Sequence, residues 1–211
     1  MTQTRIKICG ITRPADAIAA VDAGADAIGL VFYAASPRAV TLEQAAGIAA
    51  AVPPFVTIVS LFVDEPAAGI RRILSHVPID LMQFHGDESP DFCAQFERPW
   101  IKALRVRPET DVASECRRFS ASRGMLLDAW AEGVPGGTGK RFDWRLAMGE
   151  YPVPVILAGG LNDANVGDAI AQVRPAAVDV SGGVEQAPGI KDPEKIARFI
   201  AAVRAADQTA E

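Results

Sequence analysis

Cys9 lies in the run Lys7-Ile8-Cys9-Gly10-Ile11-Thr12, where an apolar, strand-like segment gives way to a helix start. A thiol at such a boundary, followed by glycine, is open enough to act as a base once ionised. Lys7 stands two residues earlier and projects from the same face of an extended chain, where its ammonium would lower the thiol pKa. Asp128 ends a second apolar run, Met125-Leu126-Leu127, just ahead of a glycine-rich stretch. In an apolar mouth its pKa would rise, leaving a fraction protonated as a general acid. Each has a plainer reading alone: a small buried hydrophobe for Cys9, a helix cap or loop carboxylate for Asp128. Together, at two strand ends, they can flank a substrate as a base–acid pair.

Two glycine pairs occupy the same position relative to apolar runs: Ala158-Gly159-Gly160 after Val155-Ile156-Leu157, and Ser181-Gly182-Gly183 after Val178-Asp179-Val180. Glycine lets backbone approach an anion closely, and successive N–H groups pointing one way form a cradle. Leu161-Asn162-Asp163 reads as a helix start that would add its own unpaired N–H groups, and Ser181 adds a hydroxyl. Tight corners would explain either pair alone; two pairs in like positions point to a phosphate. A third cluster, Gly136-Gly137-Thr138-Gly139-Lys140, is followed by Arg141 where a nucleotide loop needs Ser or Thr, so that reading fails. Gly136, Gly137 and Gly139 instead suit the hinges of a lid, against a plain surface loop. In Ser36-Pro37-Arg38 the guanidinium fork suits a carboxylate. In Gln83-Phe84-His85-Gly86, His85 either contacts substrate or satisfies a backbone group. Cys93 and Cys116 fall inside helical patterns and read as structural.

These residues must be carried by something regular. Strand patterns cover Arg5–Cys9, Ala27–Phe32, Thr57–Val63, Asp80–Phe84, Trp100–Leu104, Gly124–Leu127, Val153–Ala158 and Ala177–Val180. Most are β-branched or leucine-rich, as parallel strands buried on both faces should be. Helical patterns alternate with them at Pro14–Ala23, Leu42–Ala51, Ala67–Ser75, Pro90–Phe96, Thr110–Ser120, Trp144–Met148, Asp163–Gln172 and Pro193–Ala206. Thr41 with Gln44 forms a capping-box signal, and Ser89-Pro90 and Asp192-Pro193 place proline in a first turn. Eight βα units in 211 residues predict a single (β/α)₈ barrel domain, trimmed relative to the ~250 residues typical of that fold. An open doubly wound sheet is the competitor. In the barrel, active groups gather at the carboxyl ends of the strands, and Cys9, Arg38, Asp128, Asp179 and the two glycine pairs fall there or just beyond.

Composition narrows the partners. A net charge of −5 and a pI near 5.1 argue against nucleic acid. No apolar run approaches the ~20 residues that span a bilayer, and the first residues lack a signal-peptide core, so a cytoplasmic protein without a membrane partner is expected. Three cysteines and two histidines are too few and too scattered for a disulfide framework or a zinc cage.

In order along the chain, Lys7-Ile8-Cys9-Gly10-Ile11-Thr12, Ser36-Pro37-Arg38, Gln83-Phe84-His85-Gly86, Pro135-Gly136-Gly137-Thr138-Gly139 and Asp179-Val180-Ser181-Gly182-Gly183-Val184-Glu185 resemble the motifs of the phosphoribosylanthranilate isomerases. The resemblance covers essentially the whole chain, and its first and last motifs are the most specific. It implies a (β/α)₈ barrel with no metal or organic cofactor, acting in tryptophan biosynthesis. It also implies Cys9 as general base, Asp128 as general acid and Arg38 as anchor for the anthranilate carboxylate. Asp179 would hold a ribose hydroxyl. Phe84 stands where that family commonly has leucine, and Gly182 where it commonly has a second serine. Other readings remain open at this point: another phosphate-binding barrel isomerase or epimerase, a flavin-binding barrel, or a sugar-phosphate sensor with no need of both Cys9 and Asp128. Monomer and homodimer are equally compatible with the sequence.

Overall fold

A computed structural model describes residues 3–129 and 143–209. Eight strands pair in parallel in chain order: β1 (Arg5–Cys9), β2 (Ala27–Val31), β3 (Thr57–Phe62), β4 (Leu81–Phe84), β5 (Trp100–Val106), β6 (Met125–Ala129), β7 (Val155–Leu157) and β8 (Ala177–Val180). β8 then pairs back onto β1, with Lys7 opposite Asp179, and the sheet closes into a barrel. That one ladder excludes the open doubly wound alternative.

Helices α1 (Pro14–Asp22), α2 (Leu42–Ala51), α3 (Ala67–His76), α4 (Pro90–Ala94), α5 (Val112–Arg118), α6 (Val166–Val173) and α7 (Pro193–Thr209) alternate with the strands. Their sequence caps are made. Thr41 and Gln44 exchange both bonds of a capping box, and Ser89 Oγ accepts from Phe92 N. Asp192 Oδ1 accepts from the amides of Glu194 and Lys195. Between β6 and β7 the described residues hold a single 3₁₀ turn, Trp144–Ala147, where a helix is expected. α6 begins three residues after the expected Asp163. Asn165 accepts from Asn162 N and donates to the Gly160 carbonyl, both at 2.9 Å, which braces the intervening turn in a non-helical shape. Among the described residues no helix is long and apolar enough to cross a membrane.

Alternation along the strands sorts the core. Ile6, Ile8, Ile28, Leu30 and Met82 belong to the large layer between barrel and helices. The opposite faces form two smaller clusters: Ile101, Ala103, Leu126 and Ala158, and, towards the mouth, Cys9, Val31 and Leu61. A feature without a local signal follows β8. The turn Gly182–Val184 leads into an antiparallel hairpin of β9 (Glu185–Ala187) and β10 (Ile190–Lys191), ahead of α7.

Phe84 is explained by its surroundings. Its ring centre lies 6.0 to 6.2 Å from those of Phe62, Phe92, Phe96 and Trp100, so it joins β3, β4 and β5 to the helix α4 and its exit. Truncating a ring so placed removes its transfer energy and leaves a cavity. Phe84→Ala is expected to cost about 3–5 kcal/mol, seen as a fall in Tm on the order of 10 °C by circular dichroism. A change of a degree or two would show that the cluster does not hold the barrel wall.

Candidate active site

The inward residues at the carboxyl ends of the strands enclose a cleft lined by Cys9, Arg38, His85, Asp128, Asp179, both glycine pairs and Ser181. Residues separated by up to about 170 positions thus share one mouth, as the barrel reading requires. The lid glycines Gly136, Gly137 and Gly139 lie outside the described residues. A roomier cleft on the outer side of β5 holds Arg105 and Arg118, which face Asp87 and Glu115 in ordinary surface pairs, and it lacks the cysteine and the glycine loops.

Cys9 ends β1 and is buried, 5 % exposed. Across the sheet stands Gly29, where a Cβ would lie 2.8 Å from Cys9 Sγ and 3.1 Å from Lys7 Cε. A side chain there would displace both, so Gly29 is a site residue that no motif announced. Lys7 is beside the thiol as expected, but it also gives a 2.8 Å bond to Asp179 Oδ1, with both partners buried. Burial alone would depress the Lys7 ammonium; Asp179, with Cys9, holds it above its ordinary value. The expected lowering of the Cys9 pKa does not occur. Burial pushes the thiol up, the Lys7 ammonium pulls it back only in part, and Asp179 adds to the rise. Asp179 therefore acts on the thiol directly by its charge, as well as pairing with Lys7 and facing the cleft.

Asp128 sits in β6 with Oδ1 accepting from Ala129 N at 2.8 Å. Its Oδ2 lies 3.3 Å from His85 Nε2, which is close yet misaligned for a hydrogen bond. His85 Nδ1 is 3.0 Å from Gln83 Nε2, also buried. With the amide donating, the proton of a neutral imidazole sits on Nε2 and faces Asp128. His85 thus belongs to the acid side of the cleft, and its side chain does not serve the backbone. Gly159 has a φ of +81°, and a Cβ on it would lie 2.9 Å from Asp128 Oδ1. This glycine makes room for the carboxyl as well as for a ligand. A Cβ on Gly183 would run into the Leu161 carbonyl, so the two glycine loops touch where both approach the cleft. The start of α6 at Val166 moves the expected helical N–H groups away from Gly160, leaving the cradle to the glycine loops and Ser181.

Arg38 reaches the cleft, but its fork is not free. Nε and Nη2 each donate to Glu185, at 2.7 Å. Lys191 Nζ, fully buried, donates to Glu185 Oε1 at 2.9 Å and to the Ser181 carbonyl and hydroxyl at 3.1 and 3.3 Å. Burial pushes the Glu185 carboxyl up, but Arg38 and Lys191 more than offset it and hold the group low. Burial also lowers Lys191, which Glu185 offsets in part. Gly10, at a φ of +74°, lets Arg38 Cδ and Ser181 Oγ pack against its backbone. Glu185 was visible only as the end of a motif, and Lys191 carried no signal at all.

A model of the N-(5'phosphoribosyl)anthranilate (PRA) isomerase family matches residues 6–202. The N-(5'-phosphoribosyl)anthranilate isomerase of Pseudomonas putida (strain W619) is 60% identical over 206 residues, 98% of this chain and 100% of that protein. The crystal structure of phosphoribosyl anthranilate isomerase from Thermotoga maritima is similar with a TM-score of 0.88 at 38% identity, covering 96% of this chain and 100% of that one. A phosphoribosyl anthranilate isomerase in complex with reduced 1-(o-carboxyphenylamino)-1-deoxyribulose 5-phosphate has a TM-score of 0.84 at 37% identity, with 96% and 100% covered.

The state of Cys9 is directly measurable. Burial also holds the other thiols high, Cys93 at about 12 and Cys116 at about 11, so they titrate well above neutral pH. Thiolate absorbance, taken as the difference between the wild type and Cys9→Ser, is expected to rise only above the ordinary thiol pKa of ~8.5. Lys7→Met removes a charge that favours the thiolate, so the rise should move further alkaline. A Cys9 midpoint below ~8 in the unliganded protein would contradict the dominance of burial.

Proposed function

The chain belongs to the N-(5'-phosphoribosyl)anthranilate isomerase family and converts that substrate to 1-(2-carboxyphenylamino)-1-deoxyribulose 5-phosphate in tryptophan biosynthesis; from this we propose that Cys9 and Asp128 carry its two proton transfers. The observation that supports the assignment is their placement. A thiol on β1 and a carboxyl on β6, far apart in sequence, line one cleft with the glycine loops between them.

The reaction is an internal redox exchange in which C1′ ends reduced and C2′ oxidised. Asp128 gives a proton to the ribose ring oxygen, the C1′–O bond breaks, and the anthranilate nitrogen lends its pair to form a Schiff base. Cys9 thiolate then removes the C2′ proton, and that electron pair neutralises the iminium as an enolamine. Proton return to C1′ with loss of the enol proton gives the ketone. No atom is gained or lost. Each transfer is worth ~10²–10⁴-fold when assisted by a placed group. The buried Lys7 ammonium favours the thiolate. Ala129 N, donating to Asp128 Oδ1, holds the carboxyl in place, with His85 Nε2 close to its other oxygen.

Binding is assigned to the remaining lining residues. Arg38 meets the anthranilate carboxylate, and Gly159, Gly160, Ser181, Gly182 and Gly183 cradle the phosphate. Asp179 takes a ribose hydroxyl while holding Lys7. We read residues 1–211 as one domain acting in the cytoplasm, which suits three free, buried thiols. The described site draws on one chain, so monomer and homodimer would serve equally.

Cys9→Ser retains shape but lacks an accessible anion, and Asp128→Asn cannot deliver a proton. Both are expected to lose on the order of 10²–10⁴ in kcat while binding a product analogue nearly as the wild type does. In the wild type kcat/KM should be bell-shaped, because one shared proton must remain between the pair. Its acid limb marks addition of a second proton and its alkaline limb loss of the last one. The raised thiol places that alkaline limb above the ordinary thiol pKa. Full activity of Cys9→Ser at all pH values would falsify the thiolate base.

For the cradle, Gly182→Val is the cleaner probe, since a side chain at Gly159 also disturbs Asp128. Inorganic phosphate should inhibit the wild type competitively and lose that effect in Gly182→Val. Undiminished inhibition by phosphate would place the anion elsewhere.

A further inference from the structure

The hairpin after β8 is the part of the mouth that local sequence signals do not account for, and Glu185 is its first residue. Arg38 meets the Glu185 carboxylate edge-on through Nε and Nη2, both at 2.7 Å. A guanidinium has five N–H groups in a rigid plane, so this pairing leaves both hydrogens of Nη1 and the second hydrogen of Nη2. Those remaining donors form the end-on fork that a second carboxylate can occupy. We propose that Glu185 is a positioning residue for substrate recognition, fixing the plane of Arg38 so that its end-on fork meets the anthranilate carboxylate. The proposal rests on the reading of Arg38 as the carboxylate anchor.

Three observations support it. First, Glu185 is itself held from several sides. Its Oε1 accepts from Lys191 Nζ at 2.9 Å and from Gly189 N at 3.3 Å, and its carbonyl accepts from Lys195 Nζ at 2.7 Å. Second, the hairpin is fastened to the loop after β1 and to the first turn of α1. Thr12 Oγ1 donates to the Gly189 carbonyl, and Lys191 N donates to Asp16 Oδ2 at 3.2 Å. Gly10 lets the Arg38 stem lie against that same loop, so stem and fork are both located. Third, the charges suit an anion. Arg38 and Lys191 against one carboxylate leave a net positive charge, so Glu185 orients the guanidinium without cancelling the attraction. A pre-placed fork loses less freedom when it binds.

The alternative role gives the opposite sign. If Glu185 merely competed for Arg38, its removal would free the fork and tighten carboxylate binding. Two ligands separate the cases: the reduced product analogue, and the same compound with a phenyl ring lacking the carboxylate. Their affinities are to be measured by calorimetry for the wild type, Glu185→Gln, Glu185→Asp, Arg38→Ala and the Arg38→Ala/Glu185→Gln pair. Binding is read in place of turnover because Lys191, released from Glu185, also acts on Cys9.

Glu185→Gln should weaken the carboxylate ligand on the order of 10–100-fold, the worth of a charge-assisted bond, and change the carboxylate-free ligand by less than about threefold. A purely structural loss would weaken both alike. In the Arg38→Ala background the same substitution should add little, since both act through one contact. Glu185→Asp keeps the charge but withdraws it by one methylene, and the same selective loss is expected from it should the glutamine variant fail to fold. Unchanged or tighter carboxylate binding in a folded Glu185 variant overturns the positioning role. If Arg38→Ala is selective and the Glu185 variants are not, the proposal fails while the anchor stands. If Arg38→Ala weakens both ligands equally, the anchor reading fails and the proposal falls with it.

Discussion

The bond from Lys7 to Asp179 is the constraint on which the mouth of this barrel depends. The two residues face each other in the ladder that joins the last strand to the first, so the pair exists only when the sheet is closed. Both are buried, and either charge alone in that position would be strongly unfavourable, by ~3–5 kcal/mol for a broken pair. Closure and charge balance are therefore one condition. The same ammonium lies beside Cys9, so the interaction that completes the fold also sets the electrostatics of the proposed base. Gly29 on the adjacent strand is the steric counterpart, leaving the space that the lysine and cysteine side chains fill.

Around that seam the mouth divides into two polar groups. On the side of the proposed acid, Gln83, His85 and Asp128 stand close together across β4 and β6, with Gly159 giving the carboxyl room. On the side of the proposed carboxylate anchor, Glu185 and Lys191 tie Arg38 to Ser181 and hence to the proposed phosphate loop. Gly10 lies between the groups, in the turn directly after Cys9, with Arg38 and Ser181 packed on its backbone. This arrangement suits a reaction whose proton transfers require the sugar to be held from both ends.

The resting thiol is held above its ordinary pKa, which is compatible with its proposed work. A thiolate stabilised strongly in the unliganded site would be a weaker base and more open to oxidation. Burial favours the protonated thiol, while Lys7 limits the cost of ionising it. Competing pulls of this kind are characteristic of groups that must change state during a turnover.

Alternation of apolar runs with helical patterns, together with the caps at Thr41, Ser89 and Asp192, determined the eight strands and most of the helices. These are signals read within a few residues, and they act within a few residues in the folded chain. Cys9, Arg38, Asp128 and the glycine pairs could be gathered at one end because a parallel barrel orders its strand ends by rule. The direction of the Cys9 shift, the approach of His85 to Asp128 and the occupation of Arg38 by Glu185 were decided by tertiary structure alone. Each depends on burial or on a separation of a few ångströms between residues 43 to 172 positions apart, the extremes being His85 with Asp128 and Lys7 with Asp179. The hairpin of Glu185 and Lys191 was hidden for a related reason: its strands are too short for periodicity to register, and its partners, Thr12, Asp16 and Arg38, come from the opposite end of the chain. Residue types and local patterns specify what a segment can become; only the closed barrel sets which charges are adjacent and how much water is left between them.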